Sequence, residues 1–120
     1  DGLIASATGA ALVHGGDNSY LLIGDVAFLH DASSLALPEL ESHPNLKIVV
    51  LNNQGGKIFE GLEQGAPAFE SVFPRVFSTP HNHQISAIAN SFGWRAVDVS
   101  SIEELQSALN SDARVIAVNL

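Results

Sequence analysis

The sequence predicts an α/β fold, with an open and mainly parallel sheet lying between two layers of helices in an αβα arrangement. Short apolar runs typical of strands alternate along the chain with stretches that have helical periodicity. Residues 47–51 are nearly all apolar, as expected of a parallel strand that is covered on both faces. Because no repeat, low-complexity stretch or linker interrupts the pattern, residues 1–120 are predicted to form a single domain.

The first half of the chain contains two predicted helices and the first predicted strand. Residues 2–14 are rich in alanine, with apolar positions at helical spacing, and the glycines and polar residues of 14–18 end this helix. Residues 20–23 are predicted to form a buried strand. A second helix is expected over 31–40, with Asp31 as its N-cap.

The second half of the chain continues the alternation after the strand at 47–51. Ser101 and Glu104 have the spacing of a capping box, which marks the start of a helix. The pattern of residues 63–80 is irregular. The other predicted elements are a short helix at 58–62, a helix at 85–92, a strand at 96–99, a helix at 101–109 and a strand at 115–118.

The composition excludes several classes of function. The net charge of −8 disfavours binding to nucleic acid or to an anionic membrane, both of which require a basic surface. The absence of cysteine excludes disulfides, thiolate zinc sites and cysteine nucleophiles, and it suits a cytoplasmic protein. No apolar run approaches the roughly 20 residues of a membrane span. A chain that starts at Asp1 and lacks methionine is expected to be a fragment of a longer polypeptide.

Two polar loops follow the first two predicted strands, one at Gly24 and Asp25 and the other at residues 52–56. Loops at the carboxyl ends of parallel strands commonly form ligand sites. The Asp25 carboxylate, the Asn53 amide oxygen and the Gly55 carbonyl are the kinds of oxygen that Mg²⁺ prefers. Amides after Asp25, at the start of a helix, could bind phosphates. Each loop alone is ordinary turn chemistry, but their joint placement is more specific.

The order Gly24-Asp25, helix, strand, Asn52-Asn53 resembles the diphosphate-binding motif of thiamine-diphosphate (ThDP) enzymes. Within those enzymes, three segments look like the 2-succinyl-5-enolpyruvyl-6-hydroxy-3-cyclohexene-1-carboxylate (SEPHCHC) synthase family, MenD, of menaquinone biosynthesis. These segments are Phe-Leu-His-Asp at 28–31, Asn-Asn-Gln-Gly-Gly-Lys-Ile-Phe at 52–59 and Phe-Ser-Thr-Pro-His at 77–81. The similarity is firm over residues 1–81 and weaker beyond.

The resemblance implies a set of cofactor contacts. They come from Gly24, Asp25, Val26, Ala27, Asn53, Gly55, Ile58 and Phe59. Among these, Asp25, Asn53 and the Gly55 carbonyl hold Mg²⁺, for which Mn²⁺ can substitute. Family members usually carry Leu-Ser or Leu-Thr where this chain has Val26-Ala27, so any hydroxyl contact at Ala27 is lost. Ile58, Phe59 and Leu62 are expected to form an apolar wall beside the thiazolium and the substrate, with core packing as the alternative.

The implied activity is that of a transferase, a carboligase that decarboxylates 2-oxoglutarate and adds the resulting ThDP-bound carbanion equivalent to isochorismate. The activating glutamate lies on the N-terminal pyrimidine-binding domain of a partner subunit, and neither Glu60 nor Glu63 replaces it. The full-length enzyme is expected to be a homodimer or homotetramer. The arginines of this chain match no substrate-binding position of the family. The chain alone is therefore expected to be inactive.

Two other functions remain open. The first is a ThDP domain of another 2-oxo-acid decarboxylase or synthase. The second is a receiver-like α/β module that uses Asp25 as a lone Mg²⁺ or phosphoacceptor site, although Lys47 and Lys57 are not the late lysine that a receiver requires.

Three further side chains have simple interpretations. Histidines at 81 and 83 lack a third metal ligand, and we expect a surface turn there. His30 is expected at the mouth of the pocket, and Trp94 in the core or at a subunit interface.

Overall fold

A computed structural model describes residues 2–16 and 18–120 and places four strands in one parallel sheet. The strand order is β1-β2-β4-β3, and every pairing is parallel. The strands are β1 (Ser19–Gly24), β2 (Leu46–Asn52), β3 (Ala96–Val99) and β4 (Val115–Asn119). All four predicted strands are confirmed, with bounds that differ by at most one residue at either end. The burial predicted for residues 20–23 is wrong, because β1 lies at the edge of the sheet and leaves Tyr20 57% and Leu22 67% exposed. The predicted features at Asp1 and Asp17 lie outside the described residues.

Four α-helices accompany the sheet. They are α1 (Leu3–His14), α2 (Asp25–Asp31), α3 (Ile85–Ser91) and α4 (Ile102–Leu109). Between β2 and α3 the chain forms short turns, 3-10 in type at Lys57–Gly61, Glu63–Gly65 and Pro67–Phe69 and π in type at Pro74–Ser78. The short helix predicted at 58–62 is thus a 3-10 turn. None of the helices in the described ranges is long and apolar enough to cross a membrane.

Two apolar cores lie on opposite faces of the sheet, and β4 contributes to both. Val115 and Ala117 face the core that α1, α2 and α3 cover. Ile116 and Val118 face a smaller core beneath α4. This alternation follows from the two-residue repeat of a strand, and it explains why β4 is apolar from Val115 to Val118. The three-layer αβα prediction is confirmed.

The helix predicted at 31–40 is wrong in its bounds. Helix α2 begins at Asp25, directly after β1, and a 3-10 turn at Ala32–Leu35 follows it. The chain is already irregular at Pro38, whose ring and missing amide hydrogen disfavour a helix interior. Asp31, which the sequence pattern predicted as the start of this helix, is its last residue.

The N-cap role predicted for Asp31 is also wrong, because its carboxylate serves a different helix. Asp31 Oδ2 accepts hydrogen bonds from the Ile4 amide at 2.6 Å and the Ala5 amide at 3.4 Å, in the first turn of α1. The residue before α1 is Gly2, which has no side chain to cap these amides. The Ser34 hydroxyl, followed by the amides of α1, holds the pKa of Asp31 below its ordinary value against the opposite effect of burial.

Two further predictions about packing are confirmed. Ser101 Oγ accepts a hydrogen bond from the Glu104 amide at 3.2 Å, while Glu104 Oε2 accepts one from the Ser100 amide at 2.7 Å. This is a capping box in which the glutamate reaches one residue further back than usual. Trp94 is buried, and its Nε1 donates to the Leu35 carbonyl at 2.8 Å, so it belongs to the core.

Candidate functional site

The two predicted loops meet at the carboxyl edge of the sheet. Strands β1 and β2 are neighbours, and Gly24 pairs with Leu51, so both strands end at the same level. The loops border a cavity of about 550 Å³. Its lining residues are Gly24, Asp25, Val26, Ala27, His30, Leu51, Asn53, Gly55, Gly56, Ile58, Phe59 and Leu120. The structure therefore brings together all eight residues that were predicted to contact a cofactor, and it places His30 beside them.

Asp25 joins the two loops. Its side chain is buried, and Oδ2 accepts a hydrogen bond from the Gly55 amide at 2.9 Å, across 30 positions of sequence. Oδ1 accepts one from the Val26 amide at 2.7 Å. The Val26 amide, which was predicted to meet a diphosphate, is thus already bonded to the neighbouring carboxylate. A diphosphate contact there would have to share or replace that bond.

The asparagine pair divides into a structural and a cavity-lining residue. Asn52 is buried; its Nδ2 donates to Asn119 Oδ1 at 2.8 Å and its Oδ1 accepts from the Gln54 amide at 3.2 Å. The bond to Asn119 ties the end of β2 to the end of β4, and the bond from Gln54 fixes the start of the second loop. Asn53 is half-buried and faces the cavity, where its amide oxygen could serve as a ligand.

Gly55 makes the close approach of the second loop possible. Its φ is +142°, and a Cβ atom at this position would lie 2.4 Å from the Ser78 carbonyl oxygen. The same carbonyl accepts a hydrogen bond from the Gly56 amide at 2.7 Å, so the two segments are fixed against each other. Any side chain at position 55 would displace one of them.

The oxygen atoms around the cavity fit a magnesium ion in chemical type. Asp25 supplies a carboxylate, Asn53 an amide oxygen and Gly55 a carbonyl, and Mg²⁺ combines such ligands with phosphate oxygens and water. The Gly55 carbonyl accepts a hydrogen bond from the Lys57 amide at 3.0 Å. Because a carbonyl oxygen has two lone pairs, one remains available for a cation.

The predicted apolar wall is exposed rather than part of a core. Ile58 is 77% exposed and Phe59 is 37% exposed, and both line the cavity. The alternative interpretation, simple core packing, is therefore wrong for them. Leu62 is 54% exposed and does not belong to the described lining, so its place in the wall stays a prediction.

His81 is a site residue that the sequence interpretation missed. Its side chain is only 9% exposed, and Nε2 lies 3.1 Å from Asp25 Oδ2. The surface turn predicted here is wrong for His81, whereas His83 is exposed. The segment 77–81 was already singled out by its resemblance to a family, but no spacing rule connects it with Asp25. Within 2–16 and 18–120, no three histidine or carboxylate side chains are grouped to hold a metal ion.

The buried lysine lies far from this site. Lys47 is near the amino end of β2, and its Nζ donates to the carbonyls of Ser111 and Ala113 at 2.7 and 2.8 Å. Burial, and secondarily the charge of Arg114, lower its pKa. A receiver-like site would require a lysine beside the phosphoacceptor carboxylate, so the position of Lys47 argues against that function.

Two of the three arginines also lie away from the cavity. Arg114 donates to the Pro44 carbonyl at 2.8 Å, and Arg95 pairs with Asp112. Both arginines line a separate cavity with His43 and Trp94 near the amino ends of the strands. They therefore cannot contact a ligand held by Asp25 and Asn53.

Comparison with known proteins agrees with this geometry. The family profile described as "Thiamine pyrophosphate enzyme, C-terminal TPP binding domain" matches residues 3–115. The chain is 46% identical over 119 residues to a SEPHCHC synthase from Mycobacteroides abscessus, covering 98% of this chain and 22% of the relative. It is 48% identical over 115 residues to the same-named enzyme from Paenarthrobacter aurescens, covering 92% of this chain and 20% of the relative.

A solved structure shares the fold. The Rhodococcus jostii RHA1 thiamine diphosphate-dependent 4-hydroxybenzoylformate decarboxylase superposes with a TM-score of 0.70 at 21% identity, covering 95% of this chain and 22% of that one. The chain thus spans about a fifth of the length of these relatives. On the evidence of the profile, which matches nearly the whole chain, it belongs to the thiamine pyrophosphate enzymes, as their C-terminal TPP-binding domain.

Proposed function

We propose that this chain is the ThDP- and magnesium-binding domain of a SEPHCHC synthase, a carboligase of menaquinone biosynthesis. The observation that carries the proposal is the hydrogen bond from the Gly55 amide to Asp25 Oδ2, which brings both loops of the motif to one cavity. The 46–48% identity to two SEPHCHC synthases supports this choice within the family.

In this proposal, the polar side of the cavity holds the charged part of the cofactor. Asp25, Asn53 and the Gly55 carbonyl bind Mg²⁺, for which Mn²⁺ can substitute, and Gly24 with the Val26 and Ala27 amides meets the diphosphate. When bound, ThDP supplies the carbanion chemistry that decarboxylation and carbon–carbon bond formation require, while the protein positions it.

The apolar side of the cavity has a different role. Ile58 and Phe59 are exposed in this chain, which is costly unless a ligand or another domain covers them. A cofactor ring and substrate seated against them would be shielded from water, and water exclusion strengthens the electrostatic interactions within a site. Leu62 would extend this wall.

The rest of the enzyme is proposed to lie outside this chain. Residues 1–120 would form one domain of a longer multidomain protein, a cytoplasmic homodimer or homotetramer. The partner subunit's pyrimidine-binding domain would supply the activating glutamate, and arginines from elsewhere would bind the carboxylates of 2-oxoglutarate and isochorismate. The chain alone would be inactive.

Product analysis of the full-length protein tests this proposal. The protein is incubated with ThDP, Mg²⁺, 2-oxoglutarate and isochorismate, and the products are identified by mass spectrometry. We expect SEPHCHC from the unsubstituted protein and none from an Asp25→Ala variant, even with excess Mg²⁺. Conversion of another 2-oxo acid without any adduct of isochorismate would instead assign the domain to a different ThDP decarboxylase or synthase.

A further inference from the structure

The His81 side chain contacts the proposed metal-binding carboxylate from outside the two motif loops. It lies 56 positions from Asp25 in sequence, yet Nε2 is 3.1 Å from Asp25 Oδ2, and both side chains are almost fully buried. Oδ2 also accepts the Gly55 amide. The carboxylate is therefore held by donors from two separate segments of the chain.

The hydrogen bonds of the imidazole define which nitrogen carries the hydrogen. Nδ1 of His81 accepts a hydrogen bond from the His83 amide at 3.3 Å, so Nδ1 is the unprotonated nitrogen. Nε2 then carries the hydrogen and donates it to Asp25. The backbone amide two residues later thus fixes the tautomer that the carboxylate needs.

The backbone around His81 is built to hold this position. The His81 amide donates to the Gln54 carbonyl at 3.3 Å, and the Ser78 carbonyl accepts the Gly56 amide at 2.7 Å. Between them, Thr79 has a φ of +39°, which is uncommon for a β-branched residue. Such a conformation persists only where its surroundings enforce it, and here it turns the chain towards the second motif loop.

We propose that His81 is a positioning residue, which orients the Asp25 carboxylate for the divalent cation through the Nε2–H···Oδ2 hydrogen bond. This inference rests on the proposed function of the site. Without His81, Oδ2 loses one of its two donors and the carboxylate gains rotational freedom. Partners of this kind behind a metal ligand typically contribute 10–100-fold to metal affinity.

The test compares three substitutions in the full-length protein. In His81→Gln, the side-chain amide can donate from about the position of the imidazole Nε2. In His81→Asn, the side chain carries the same amide but is one methylene shorter, and in His81→Leu it has no donor. Mn²⁺ affinity in the presence of ThDP is measured by electron paramagnetic resonance, with thermal melting as the fold control. His14→Gln is the matched control, because His14 is exposed at the end of α1 and precedes β1, whose far end leads into Asp25.

The expected result is a 10–100-fold loss of Mn²⁺ affinity in the Asn and Leu variants and recovery to within about threefold in the Gln variant. If His81→Leu does not fold, the comparison of Asn with Gln still decides the question. Two results would overturn the inference and leave the proposed function intact. The first is equal Mn²⁺ affinity in all variants. The second is an equal loss of Mn²⁺ affinity in the Asn and Gln variants while their melting temperatures stay unchanged. Absence of Mn²⁺ binding in the unsubstituted protein would overturn both.

Discussion

Gly55→Ala is the substitution that most sharply tests the geometry of the second loop. The added Cβ would lie 2.4 Å from the Ser78 carbonyl oxygen and 3.3 Å from Pro80 Cα, at a φ of +142° that side chains rarely adopt. Backbone strain of this kind costs of order 1–3 kcal/mol, and overpacking adds a similar amount. After partial relaxation we expect a total of roughly 2–5 kcal/mol.

The loop cannot avoid this contact without losing other interactions. If the loop moved away from Ser78, it would break the 2.7 Å hydrogen bond from the Gly56 amide to the Ser78 carbonyl. It would also weaken the hydrogen bond from the Gly55 amide to Asp25 Oδ2. We therefore expect Gly55→Ala to lower both the free energy of unfolding and the affinity for Mg²⁺ with ThDP. The assays are urea denaturation followed by circular dichroism, and calorimetric titration of the cofactor.

Gly9→Ala provides the matched control. Gly9 lies on the exposed side of α1, and a Cβ there would meet nothing within 4 Å. Replacing a helical glycine by alanine should stabilise the protein by about 0.5–1 kcal/mol. A Gly55→Ala variant as stable as the unsubstituted protein, with unchanged cofactor affinity, would refute the close approach of Gly55 to Ser78.

Three smaller predictions concern the scaffold. Asp31→Asn should cost roughly 1 kcal/mol at neutral pH. Because folding lowers the pKa of Asp31, the ionised carboxylate contributes to the free energy of unfolding above pH 3.8, and this contribution is lost as the pH falls below that value. The free energy of unfolding in urea should therefore depend less on pH in the Asp31→Asn variant over the acid range. Trp94→Phe should cost about 0.5–1.5 kcal/mol in urea unfolding, because the Leu35 carbonyl loses the indole donor and keeps only the Leu37 amide. Ser101→Ala should lower thermal stability by about 1 kcal/mol, and Ser101→Thr should not.

The sequence predicted those features that depend on local pattern. The strands were recognisable because parallel strands buried on both faces are apolar throughout, as β2 and β4 largely are. The two loops were predicted to converge because parallel strands end at a common edge, and the pairing of Gly24 with Leu51 confirms it. Here a one-dimensional pattern determines a three-dimensional arrangement.

The features that the sequence did not predict depend on contacts between distant segments. Asp31 caps α1 from 27 positions away, and His81 reaches Asp25 across 56 positions. Local preference made Asp31 resemble an ordinary N-cap and placed His81 in a surface turn. Neither partner can be identified before the chain has folded around it.

Calorimetric titration of ThDP into the full-length protein, with and without Mg²⁺, shows whether Asp25 belongs to a site for magnesium and a diphosphate. The same titrations are carried out with the Asp25→Ala variant. We expect binding that requires Mg²⁺ in the unsubstituted protein and is lost in the variant at every Mg²⁺ concentration. Tight binding without Mg²⁺, or equal affinity in the Asp25→Ala variant, would show that Asp25 does not hold a magnesium ion for the diphosphate.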